Sequence, residues 1–266
     1  LVARGYEALG VGLTFVALTA IFYLLGVARF RGLRYRLSRT RWRGIRGGSD
    51  DGGFLFGLSY MWKTIVGWIP LGLLIPWSMT SLWNERWNKM SFGPFPFQSN
   101  AEAGGVFVRF LLFYLAPFVL FVGGMIMAGM GMLAGYGIGG EDGMAVGGVI
   151  GILGLLLFFY LGLGLIAVAF YAKFYREVVG ATRWRDLTFS FEASTLDWVK
   201  LLVVDALLVV FTFGIGLIFL SYRHWKFFMT HLEAGGEILL DELTQSETKT
   251  ARHGEGLLDA FDMGAI

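Results

Sequence analysis

Three ionisable residues, Lys63, Arg109 and Asp205, lie inside stretches that are otherwise apolar. A lone charge in hydrocarbon is costly, so such a group pairs, lines a cavity or reaches back to the headgroups. Lys63 and Asp205 carry opposite charges and stand 142 positions apart. The sharpest expectation is a buried ion pair of Lys63 with Asp205; the plainer one is snorkelling, above all for Arg109. A proton relay needs more intramembrane carboxylates than Asp205 alone. His224 and His231 can share a helix face, but no third ligand lies near them, so no metal site is expected. There is no cysteine, which removes disulfides, thiolate metal sites and cysteine nucleophiles. No nucleophile–base pair is legible. Neither catalytic residues nor a cofactor is therefore expected, and the chain is read as a non-enzyme.

The second chemical feature is the segment Arg29–Gly48, with eight arginines and no acid. Its guanidiniums suit anionic lipid headgroups or an acidic partner surface. Arg34, Arg36, Arg39, Arg41, Trp42, Arg43 and Arg46 are the candidate contacts. The simpler reading is a topological anchor, with basic residues on the cytoplasmic side. Nucleic acid also binds basic-aromatic segments. It is not expected here, because this segment is tethered between two apolar runs.

The elements that must position these residues are apolar. Of 266 residues, 56% are hydrophobic and only 16% charged, and the mean hydropathy is +0.63; soluble domains carry about 25% charged residues. Five hydrophobic segments stand out: Leu9–Ala28, Phe54–Trp83 (interrupted by Pro70 and Pro76), Val106–Leu133, Met144–Ala172 and Trp198–Tyr222. A span takes roughly 20 apolar residues. The expected fold is therefore all-α, a multi-pass transmembrane protein with a membrane domain over 1–232. An acidic cytoplasmic tail follows over 233–266, with amphipathic pieces at Ile238–Leu243 and Leu257–Phe261. The chain begins at Leu1 and is read as missing its first residues, with the first span retained. Gly131, Gly135, Gly143, Gly147 and Gly151 recur every four positions on either side of a glycine-rich turn, which predicts a tightly packed helical hairpin. A phosphate-cradling loop is the weaker alternative there, since the lysine of such a loop is missing.

Thr40-Arg41-Trp42-Arg43 recurs as Thr182-Arg183-Trp184-Arg185. Each copy precedes an apolar run with a glycine-centred core, Leu71-Gly72-Leu73 and Ile215-Gly216-Leu217, and then an aromatic-basic segment. Two related halves, about 34–105 and 176–236, are the expectation. If both copies face the cytoplasm, 54–83 must be re-entrant or doubly crossing, and by symmetry 198–222 is read the same way.

The segment Arg34–Gly48, RYRLSRTRWRGIRGG, resembles the YjgN-like family of bacterial inner-membrane proteins. Leu71–Trp77 is similar to that family's helix end, and Gly254–Gly264 to its closing signature. The second half departs from the pattern, with Leu220-Ser221 where the first has Pro76-Trp77. The resemblance implies a bacterial inner membrane, several spans and no known activity. The preferred role is a structural or accessory subunit that packs against lipids, other membrane proteins or itself. A small-molecule or lipid transporter built on the repeat is the alternative.

Overall fold

The computed structural model describes residues 2–238 and 243–248. The amphipathic piece at 257–261, the closing segment 254–264 and most of 238–243 lie outside the described residues.

The chain opens with a 38-residue helix, α1 (Val2–Arg39), which carries the arginines as far as Arg39. A two-residue turn at Arg43-Gly44 then joins β1 (Arg41–Trp42) to β2 (Ile45–Gly48). Two short helices follow, α2 (Phe54–Trp68) and α3 (Ile75–Trp87). The next β-hairpin, β3 (Ser91–Phe92) and β4 (Phe95–Ser99), turns at Gly93-Pro94. It leads to α4 (Gly104–Phe110) and α5 (Leu112–Gly180). A third hairpin, β5 (Thr182–Trp184) and β6 (Leu187–Phe191), turns at Arg185-Asp186. It leads to α6 (Thr195–Phe211), α7 (Leu217–Thr230) and β7 (Leu232–Gly235).

The seven strands form one sheet in sequence order, and β1 to β5 each run antiparallel to the next. Its connections alternate. Odd-to-even connections are two-residue turns whose first residue, Arg43, Gly93 or Arg185, has positive φ, as tight hairpins require. Even-to-odd connections are helical.

This overturns the all-α, five-span expectation. Phe54–Trp83 is not one span: the chain leaves the helix after Trp68, and Leu71 and Gly72 take positive φ. Trp198–Tyr222 breaks likewise, at Phe213 and Gly214. Each remaining helix has 13 to 17 residues, too short for a hydrocarbon core of about 30 Å. Val106–Leu133 and Met144–Ala172 fall in two arms of a single hairpin. Non-helical backbone at Gly139 and Gly140 reverses α5 on itself.

Two stretches remain long and apolar enough to cross a membrane, Leu9–Arg39 and Gly104–Gly180. Only 17% and 6% of their most apolar windows are buried. A core helix of a soluble protein would be largely covered, so the outward apolar surface suggests a membrane location.

The chain divides into two compact units. The first (1–103, 178–190, 234–266) contains α1, α2 and α3, and its core gathers on Phe30, Phe56 and Met90. Helices α1 and α2 run antiparallel at close range: a Cβ on Gly26 would lie 2.6 Å from Tyr60 Cβ, and one on Gly57 2.6 Å from Val27 Cγ2. The second unit (104–177, 191–233) holds α4, most of α5, α6 and α7. Here Phe191 stacks on Phe228 at 4.5 Å, and Tyr175 on Trp198 at 5.6 Å.

Candidate functional site

The charged residues of the apolar stretches sit in the two short helical hairpins. In the first, Lys63 projects from α2 towards α3. Its ammonium donates to Ser81 Oγ and to Glu85 Oε2, both at 2.8 Å. Ser59 donates to the same carboxylate oxygen at 2.6 Å. Lys63 is 11% exposed and Glu85 24%. The spacing from Ser59 to Lys63 puts both on one face of α2, and that from Ser81 to Glu85 does the same on α3.

In the second hairpin the signs are exchanged. Asp205 on α6 is the buried group, at 7% exposure, and α7 supplies the cations. Arg223 Nε donates to Asp205 Oδ1 at 2.5 Å, and His224 Nε2 lies 2.7 Å from Oδ2. Lys63 and Asp205 belong to different units, and each has its ionic partner inside its own.

The feet of the hairpins are fastened differently. Below the first, Asp51 bridges to Lys89 at 3.0 Å and Ser49 donates to the Lys89 carbonyl at 2.6 Å. Burial raises the Asp51 pKa, but the Gly53 N–H and the Lys89 ammonium outweigh it and hold the carboxyl below its ordinary 3.8. Below the second, the Glu192 N–H donates to the His231 carbonyl at 2.9 Å. Ser194 and Asp197 form a reciprocal cap on α6. The hydroxyl and N–H of Ser194 hold the Asp197 carboxyl below its usual range.

The arginine segment is partly structural. Arg31 Nε donates to the Gly52 carbonyl at 3.1 Å, and Arg34 Nη1 to that of Asp51 at 2.8 Å, tying the end of α1 to the foot of α2. Arg36 is half-buried. Arg46 meets the tail: its N–H donates to Gln245 Oε1 at 3.1 Å, and its guanidinium to the Thr248 carbonyl. Gln245 Nε2 also donates to Gly44 O at 2.8 Å. These described tail contacts are made by neutral groups, not by the tail's acids. Arg39, Arg41, Trp42 and Arg43 are exposed. Arg39 lies over Tyr35, and Arg43 over Trp42.

The second Thr-Arg-Trp-Arg copy is a fastening of the first unit. Thr182 is buried; its hydroxyl accepts from Trp83 Nε1 at 3.1 Å and donates to the Val178 carbonyl at 2.7 Å. Trp184 Nε1 donates to the carbonyls of Phe92 and Phe95 across the Gly93-Pro94 turn, and Arg185 covers Phe95 at 4.1 Å. Asn84 on α3 and Asn88 at its C-cap, one turn apart, hold Ser99 at the end of β4 and Ala101 just beyond it.

The glycines named for packing meet within α5. A Cβ on Gly131 would come 3.0 Å from Gly147 O, one on Gly151 2.7 Å from Ala128 Cα, and one on Gly135 would collide with Gly143. Arg109 on α4 donates to the Ala169 carbonyl on the returning arm of α5 at 3.0 Å. His231 bonds the Phe227 carbonyl, and no group of three or more metal-ligating side chains occurs among the described residues. Sequence reading missed Gly26 and Gly57, because single glycines on two separate helices leave no periodic signal. It also missed Glu85 and Arg223 as partners, because both lie at the polar ends of their apolar runs.

These features define a class: a mostly helical chain on a small antiparallel sheet, with two stretches suited by length and composition to a membrane. The chain belongs to DUF898, a family of bacterial proteins of unknown function, whose model matches residues 3–260. That agrees with the YjgN-like resemblance of Arg34–Gly48. No curated protein and no solved structure matches the chain.

Proposed function

We propose that this chain is an integral protein of the bacterial inner membrane with a structural or accessory role, packing against lipids and other membrane proteins or further copies of itself. The observation that carries this is how the hairpin charges are used. Lys63 is occupied by Ser81 and Glu85, and Asp205 by Arg223 and His224. These groups hold helices together and leave little to bind or hand on a solute. The outward apolar surfaces of α1 and α5 give the lipid- and protein-facing area that such a role needs. Arg39, Arg41, Arg43 and Trp42 are exposed, and in this reading they meet anionic headgroups of the cytoplasmic leaflet.

The two short hairpins also support a duplication. The positive-φ residues Arg43, Leu71 and Gly72 recur as Arg185, Phe213 and Gly214, each 142 positions later. The same offset relates Lys63 to Asp205. Short hairpins interrupted at matched points also favour the second reading, transport, since broken helices build solute sites in duplicated transporters.

Purification from native membranes in a mild detergent separates the two. The accessory reading expects a stoichiometric complex larger than one chain, and proteoliposomes that pass no solute. A lone protomer that catalyses solute flux would refute it.

A further inference from the structure

We infer that the α2–α3 and α6–α7 hairpins are re-entrant: each pushes its tip into the acyl-chain layer of the bilayer and returns to the face it entered from. The inference rests on the reading that α1 and α5 span that bilayer. It assigns the surface of both tips to lipid.

The first argument is a ruler inside the first unit. Helix α1 pairs antiparallel with α2, Phe30 against Phe56 and Val27 against Gly57. From Gly57, α2 continues to Trp68, about 17 Å at about 1.5 Å per residue. Measured back along α1 from Val27, that level is near Val16, within the apolar run that begins at Leu9. If α1 is in hydrocarbon at that depth, so is the tip. At about 17 Å, α2 reaches little more than half of a core about 30 Å thick.

The second argument is how polarity is divided. Between Lys63 and Glu85 there is no charged residue, nor between Asp205 and Arg223. Lys63 and Asp205 stand about midway between foot and turn, Glu85 and Arg223 lie on the returning helices nearer the foot, and beyond them the tip carries no charge. Trp68 is 65% exposed, Ile69 73% and Leu71 83%; Phe213 is 98% exposed. A helix that docks on a protein is divided lengthwise, with one apolar face and one polar. A hairpin divided crosswise, apolar tip above charged base, matches a water-to-hydrocarbon gradient. The internal ion pairs then serve a purpose: each neutralises a charge carried partway into the bilayer, where an unpaired ion is costly.

The chain has no cysteine, so single cysteines report cleanly in proteoliposomes of phosphatidylethanolamine and phosphatidylglycerol. Leu71→Cys and Phe213→Cys should resist a water-soluble maleimide from either face, while Asn100→Cys reacts. Spin labels at both tips should collide with dissolved oxygen and not with a water-soluble nickel chelate. Labelling of the tips from either face, or labels shielded from both oxygen and nickel as by a protein partner, would overturn the inference. Ile69→Cys and Ile215→Cys repeat the test should the first pair fold poorly. Asp142→Cys, at the α5 turn, and Gly104→Cys, at the start of that excursion, should label from opposite faces. If they label from the same face, the spanning reading falls and the hairpins with it. If they label from opposite faces while Leu71→Cys reacts with the maleimide, the hairpin inference falls alone.

Discussion

The α2–α3 and α6–α7 hairpins share a backbone and differ in nearly every side chain that matters. Both break between their helices with two successive positive-φ residues, Leu71-Gly72 and Phe213-Gly214. The first has Pro70 in its turn; the second turns without proline, through Gly214 and Gly216. The first places its cation on the leading helix and its anion on the returning one; the second reverses this. Glycine after the break is common to both, since it accepts positive φ without strain. The sign of the charge is not common to both. What both retain is a charge on one helix answered on the other, which is what a poorly hydrated setting demands.

The same lesson holds for the two Thr-Arg-Trp-Arg copies. Trp184 is buried on the Phe92–Phe95 turn, while Trp42, on edge strand β1, is 39% exposed. One sequence word serves as a fastening where a strand lies beside it, and as a surface where none does.

The largest expected effect tests that second contrast. Trp184→Ala should cost about 3–5 kcal/mol, whereas Trp42→Ala should stay within about 0.5 kcal/mol, both read as thermal unfolding in detergent by circular dichroism. Equal losses would erase the distinction between the copies. Next come the charges. Asp205→Ala strands Arg223 and should cost about 3 kcal/mol. The double exchange Lys63→Glu with Glu85→Lys should recover most of what either single change loses, since the second hairpin works with reversed polarity. A double variant no better than the singles would show that polarity is not interchangeable. Gly57→Leu should cost about 1–3 kcal/mol by driving α2 off α1, and Gly164→Leu much less, as nothing lies within 4 Å of a Cβ there.

The smallest effect is on acid stability. The folded pKa of Asp51 is lowered, so its contribution is complete above the ordinary value of 3.8. It is lost as pH falls from there through the folded pKa. Lys89→Met should flatten the acid limb of unfolding measured between about pH 2 and 5, and an unchanged limb would argue against the Asp51–Lys89 clamp.

Much of this was legible in the residues. The prolines at 70 and 76 and the glycine-rich run at 135–143 marked places where the chain turns, because such residues cannot or need not continue a helix. The sheet was not legible. Its strands are two to five residues long, and a period of two cannot establish itself over so few positions. Ile45–Gly48 ends in glycines and Phe95–Ser99 contains Pro96, both poor strand formers. The arginines around Trp42 and Trp184 read as a membrane boundary, and only the backbone pairing of β1 with β2 and of β5 with β4 and β6 shows a sheet there. Of the candidate site, Lys63 and Asp205 stood out as isolated charges in apolar runs. Their partners did not, because a residue at the edge of a polar segment carries no mark of pairing.

The most direct test of the central claim, that the outward faces of α1 and α5 meet lipid, is alkaline carbonate extraction of membranes from cells producing the chain. The account predicts that all of it stays in the membrane pellet and leaves only with detergent. Release into the carbonate supernatant would contradict it.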